Sequence, residues 1–180
     1  KSNFRNARLI ISTSPDPGFF YRSLEHTTAL HRLEISVRLR RGLSLILGDV
    51  GTGKTTLAIT YATKHGHKYT LVEWLTAATL EQDLLDLADR VAIPKHLTQP
   101  ERLTALTTYL TAHPNWLLII DNIDPIPQHY DTVHKYIPPE TGNLLLTTYR
   151  GKEIARKFIQ PAIISSRLFT LRIALCLALK

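Results

Sequence analysis

The chain has no methionine, a single cysteine at Cys176, and only two tryptophans. One cysteine excludes an internal disulfide and removes thiolate-rich zinc clusters from consideration. A reducing compartment, the cytoplasm, is the expectation that follows. Eight histidines are present, but their spacing forms no ligand pattern. His65 and His67 straddle Gly66, and His129 and His134 do not share one helix face well. They read as helix-end or solvated side chains, and no metal-ligand cluster is expected of them. Long apolar runs are missing too. Nothing reaches the roughly 18 uninterrupted apolar residues of a membrane-spanning helix. The apolar run at Leu9 to Ile11 is too short for a signal peptide, so no membrane association is expected. No nucleophile elbow supports Ser-His-Asp chemistry, and there is no internal repeat. A chain that begins at Lys1 and lacks Met reads as a fragment of a longer protein.

What is present is ordinary for a globular domain. Hydrophobic residues make up 44% and charged residues 21% of 180 positions, which suits one domain with a substantial core. The net charge of +7 is unevenly spread. Residues 1–41 hold eight Lys and Arg against three Asp and Glu, and residues 125–180 hold the same numbers. The middle is acidic, with six against nine. Basic ends keep nucleic acid open as a partner, although no base-reading motif accompanies them. Arg38, Arg40 and Arg41 are read first as favourable charges in a last helical turn.

The most informative stretch runs from Leu43 to Ala58. Five mostly apolar residues of buried-strand type lead into Gly48-Asp49-Val50-Gly51-Thr52-Gly53-Lys54-Thr55, and a helical pattern beginning Thr55-Thr56 follows at once. This is a full match to the phosphate-binding loop in its required strand–loop–helix context. Gly48, Gly51 and Gly53 are expected to take positive φ and let the backbone approach phosphates. The N–H groups from Gly48 to Thr56 and the helix N-terminus supply partial positive charge. Lys54 is the candidate for the β- and γ-phosphates, and the Thr55 hydroxyl for the Mg²⁺ shell.

Further along, periodicity predicts a helix over about 23–40, the loop helix closed by Gly66, and a β-rich run at 69–75. Thr79 with Gln82, and Thr98 with Glu101, read as capping boxes opening two helices. Trp116 to Ile120 then forms an apolar run ending in Asp121. That pattern places a carboxylate at the C-terminal edge of a parallel strand beside the loop, where it can hold Mg²⁺. A further strand is expected over 143–148. Residues 42–150 are read as the core, after a lead-in segment over 1–41. Residues 151–180 are a C-terminal extension, read as a truncated remainder of the core or of its lid. Its apolar LFTLRIALCLALK suits either a last strand or a core helix.

Two resemblances sharpen this. SPDPGFFYRS, a helix with His26 and Leu30, and RRGLSLILGDVGTGKTTL resemble the start of the secretion-helper and transposition-helper AAA ATPases. By that likeness Phe19, Phe20 or Tyr21 walls an adenine; anchoring of the chain entry to the core is the competing reading. TLAITYA, TLVEWLTA, WLLIIDNID, the YIPPETG turn and NLLLTTYR resemble the signal-transducing NTPases with NB-ARC-type domains, the STAND group. Together the matches cover about three quarters of the chain. They imply an α/β P-loop NTPase of three layers, with a mainly parallel sheet, helices on both faces, and a sensor strand between the loop strand and the Asp121 strand. They imply ATP and Mg²⁺ as cofactors, and a protein partner or self-association through flanking domains.

Departures from both patterns qualify the chemistry. Many AAA enzymes follow the strand aspartate with a glutamate that activates water; here Asn122 stands there, and an amide takes no proton. Asp124 is the nearest substitute. The sensor arginine is displaced by one residue, to Arg150 after Thr147, Thr148 and Tyr149, which turns it to the other face if the strand continues. No guanine-reading motif is found. The expected function is Mg²⁺-dependent ATP binding with slow hydrolysis, serving as a conformational switch. A DNA-associated helper ATPase and a non-catalytic nucleotide-binding scaffold are the alternatives.

Overall fold

The computed structural model describes residues 24–38, 42–123, 127–138 and 140–148, and the backbone of 174–179. Five helices and five strands occupy them: α1 (Leu24–Arg38), β1 (Leu43–Gly48), α2 (Lys54–His65), β2 (Leu71–Thr76), α3 (Leu80–Arg90), α4 (Gln99–Ala112), β3 (Trp116–Asp121), α5 (Pro127–Tyr136), β4 (Asn143–Thr148) and β5 (Ala174–Leu179). The strands form one sheet in the order β2-β3-β4-β1-β5, and every pairing is parallel. The expected α/β class therefore holds, with β4 between the loop strand β1 and the Asp121 strand β3.

Period-two alternation distributes the core to both faces. Leu43, Leu45, Trp116, Leu118, Ile120, Leu144 and Leu146 point to the side covered by α3, α4 and α5. Ile46, Leu117, Ile119 and Leu145 point to the side covered by α1 and α2. Parallel register then stacks the strand ends: Ile46 pairs with Thr147 and Ile120 with Leu146. All the C-terminal strand ends open on one edge, where ligands of such sheets bind. The apolar tail segment resolves as a strand at the sheet edge, beside β1, with a register shift between Ile46 and Leu47. Among the described residues no helix is long and apolar enough to cross a membrane.

Glu101 reaches back to the Thr98 N–H at 2.8 Å and to its hydroxyl at 2.7 Å, the capping box expected at α4. The box expected at Thr79–Gln82 does not form. A 3₁₀ turn over Ala77–Thr79 brings the chain into α3 already coiled, and Thr79 makes no capping bond. The entry is held one turn earlier, where the Asp83 carboxylate accepts the Thr76 N–H at 2.7 Å, while Gln82 donates to Asp86. The run expected at 69–75 begins at Leu71. Helix α5 was not anticipated: Pro127 opens it, and Tyr130, Val133 and Tyr136 bury one face at three-residue spacing.

Helix α3 ends in a Schellman motif without its glycine. The Ile93 N–H bonds to the Ala88 carbonyl at 2.9 Å and the Ala92 N–H to that of Asp89 at 3.1 Å. Ala92 therefore sits at φ 61, where an L-residue is strained by about 1–2 kcal/mol. Ala92→Gly is expected to raise unfolding stability by about 0.5–1 kcal/mol, the strain relief less the added unfolded-state entropy. Urea unfolding measures this, and a destabilised variant would contradict the left-handed geometry.

Candidate functional site

The site lies where β1, β3 and β4 end. After Gly48 the chain leaves the sheet through Asp49 and the exposed Val50, then turns at Gly51 and Gly53 with φ of 82° and 81°. Only glycine takes these angles without cost. Gly48 was expected to do the same but does not; it still closes β1, where extended backbone suffices. Thr52 tightens the turn, its N–H and hydroxyl reaching the Asp49 carbonyl at 3.3 and 2.8 Å.

Gly53 is the N-cap of α2 and has no side chain with which to cap it. The first N–H with an intrahelical acceptor is that of Leu57, bonded to the Gly53 carbonyl at 2.8 Å. The N–H groups of Lys54, Thr55 and Thr56 belong to the uncapped first turn, which also contains no acidic residue. An anion placed there meets the positive end of the helix with no competing side-chain carboxylate in that turn. The Thr56 side chain turns inward and is buried, so only its backbone faces the site.

Lys54 is 7% exposed, and its ammonium donates to the Asp49 carbonyl at 2.6 Å. Burial pushes its pKa down, and attraction to Asp121 and Asp49 pulls it back. The lysine is thus folded over its own loop, and carries a charge whose hydration is already partly stripped. Thr55 points from the next position toward β3. Its hydroxyl donates to the Asp121 carboxylate, 3.1 and 3.2 Å from the two oxygens. The two residues stand 66 positions apart in the chain, and the sheet order brings them together.

Thr147, which the sequence offers with Thr148 and Arg150 as a sensor of the γ-phosphate, has a further role at the end of β4 that no local pattern marks. Its hydroxyl donates to Asp121 Oδ1 and accepts the Asn122 N–H at 3.0 Å. The Ile123 N–H reaches the Thr147 carbonyl at 2.9 Å. These bonds hold Asn122 at φ 56, a left-handed conformation that Asn tolerates better than most residues. The Asn122 side chain is exposed. Thr148, which follows Thr147 in β4, is buried. Asp124 and Arg150, and the aromatic trio Phe19, Phe20 and Tyr21, lie outside the described residues.

A hydroxyl and a carboxylate are hard oxygen donors, the type that Mg²⁺ takes together with phosphate oxygens and water. Thr55 and Asp121 in contact beside an uncapped helix N-terminus fit that ion with a polyphosphate, and the loop glycines leave backbone exposed for it.

No match was found among curated proteins. Among solved structures, that of Rhizobiales Trip13 is 14% identical with a TM-score of 0.42, over 76% of this chain and 64% of that one. That of C. elegans PCH-2 is 15% identical with a TM-score of 0.45, over 76% of this chain and 41% of that one. The chain therefore spans less than two thirds of either. The family model for the AAA domain matches residues 37–160, from the end of α1 past β4. With that match covering well over half of its length, the chain belongs to the AAA domain family of P-loop NTPases.

Proposed function

We propose that this chain binds ATP with Mg²⁺, hydrolyses it slowly, and uses the bound nucleotide as a conformational switch. The observation that carries this is the convergence of Thr55, Asp121 and Thr147 in one hydrogen-bonded chain beside Lys54. Mg²⁺ would be held by Thr55 and Asp121 and would neutralise charge on the β- and γ-phosphates. Lys54 exchanges the Asp49 carbonyl for phosphate oxygens, and the N–H groups of the loop and of the first turn of α2 orient the polyphosphate. Preference for adenine rests on the family alone.

Slow turnover follows from Asn122. A general base takes a proton from the attacking water, and an amide has no basic site for it. The switch reading draws on Thr147. Its hydroxyl is engaged on both sides, so an event at Asp121 is passed to β4 and to the chain that leaves it. Titration with fluorescent ATP and GTP analogues, with and without Mg²⁺, tests the binding. Mg²⁺-dependent affinity favouring ATP is expected, and no binding by a folded chain would overturn the reading.

Asn122→Glu is expected to raise single-turnover hydrolysis by at least about ten-fold. It should also lower stability by about 1 kcal/mol, because Glu is less at ease at positive φ. A flat rate would mean that something other than the missing base limits the step. The same assays separate the other readings. Hydrolysis stimulated by DNA and falling steeply with salt would favour a helper ATPase. Nucleotide held without product over long incubation would favour a scaffold.

A further inference from the structure

Helix α1 reaches the phosphate-binding loop through the His26 side chain. His26 Nε2 stands 2.8 Å from the Thr52 carbonyl oxygen, across 26 residues of sequence. A carbonyl only accepts, so Nε2 carries the proton and donates it. The Thr52–Gly53 peptide is trans and planar, so its C=O and N–H point in opposite directions. A carbonyl drawn to α1 therefore turns the Gly53 N–H away from α1.

That peptide needs an outside anchor. Gly51 and Gly53 on either side of Thr52 both sit at positive φ, and glycine is the residue least able to hold a peptide plane by itself. The bonds to the Asp49 carbonyl, from Thr52 and Lys54, all arise within the loop. His26 is presented from a helix that is fixed in turn. Glu34, two turns further along α1, takes a hydrogen bond from Lys64 and meets His65 Nε2, both at 2.8 Å, at the end of α2. Ala29, Leu30 and Leu33 bury the face between the two contacts.

We propose that His26 is a positioning residue for the nucleotide site: its Nε2–H holds the Thr52–Gly53 peptide with the Gly53 N–H turned to the phosphates. The nucleotide affinity of the loop then depends on α1 being docked. This rests on the ATP-binding reading above, and it adds a control element outside the loop motif. Anything that lifts α1 loosens the grip on both ATP and ADP, because the backbone cradle serves the phosphates that the two share.

The test compares wild type with His26→Ala, His26→Gln and Lys54→Ala. Gln places an amide N–H near the reach of Nε2, so it retains the donor. The Kd for ATP and for ADP is expected to rise about three- to ten-fold in His26→Ala, the factor a net hydrogen bond of this kind supplies, and to stay within about two-fold in His26→Gln. Nitrogen NMR of the nucleotide-free protein should show the His26 ring as the Nε2–H tautomer. An unchanged Kd in His26→Ala, a Gln variant as weak as Ala, or an Nδ1–H tautomer would each overturn the proposal. Wild type and Lys54→Ala both failing to bind would instead overturn the ATP reading, and the tautomer then decides the loop anchor by itself.

Discussion

Lys54→Ala is expected to weaken Mg²⁺-ATP binding by about 100-fold, while the nucleotide-free protein keeps its stability to within about 1 kcal/mol. The two halves of this prediction have one cause. In the free protein the ammonium has given up water for a single carbonyl, and burial works against its charge. Removing it costs one hydrogen bond but also relieves that desolvation, and Thr52 still donates to the Asp49 carbonyl. In the complex the same ammonium faces phosphate oxygens, and charge-assisted bonds in a partly buried site are each worth about 1.5–3 kcal/mol.

Thermal unfolding with and without nucleotide reads both halves at once. At a ligand concentration 100 times the wild-type Kd, binding adds about 2.7 kcal/mol. For a chain of this size that raises the midpoint by roughly 5–10 °C. The variant at the same concentration gains only about 0.4 kcal/mol. Equal shifts for the two proteins would remove Lys54 from the site. A collapse of the nucleotide-free variant would mean that its bond to Asp49 is structural first.

The parts of the site that were legible in the sequence are those whose chemistry is contiguous. Gly48 to Thr55 declares strand, turn and helix within one stretch, and Trp116 to Asp121 declares a buried strand ending in a carboxylate. Family resemblance then supplied the strand order that joins them. What could not be read depends on partners distant in the chain. His26 meets Thr52 only because α1 folds back along α2, and no local pattern marks a histidine for a loop carbonyl. The left-handed Asn122 follows from its bond to Thr147, 25 residues on. The Thr79–Gln82 pattern failed for a similar reason: Asp83 offered the chain a better bond at Thr76, which moved the helix entry upstream. The apolar run of the edge strand β5 has no period and so suits strand and helix equally, and pairing with β1 decides it.

Gly142→Ala is expected to destabilise the protein by about 3 kcal/mol or more, although the change adds one methyl group. Its φ is not in the left-handed region, so the backbone accepts Ala and the whole effect is steric. A Cβ at Gly142 would come no farther than 2.5 Å from three atoms of the Trp116 indole, Cδ2, Cε2 and Cε3. The indole cannot step aside. It is 0% exposed, and its Nε1–H donates to the Leu110 carbonyl at 3.1 Å, an oxygen that also takes the Thr141 hydroxyl at 3.1 Å. The backbone cannot yield easily either, because the Asn115 N–H is tied to the Thr141 carbonyl at 3.0 Å, just before β3 begins. Close packing at this corner sets how β3 and β4 lie together, and so where Asp121 meets Thr147 at their far ends. Gly66→Ala is the control: its nearest neighbour would be Val72 Cγ2 at 3.7 Å and its φ is −54°, so it should be neutral or stabilise by about 0.5 kcal/mol. If the clash is the cause, Gly142→Ala should cost little in a Trp116→Ala background, which has none of the three atoms, and the double variant should be more stable than the sum of the single effects by about 1 kcal/mol or more. Strict additivity would place the damage in the backbone of the turn and not in the indole.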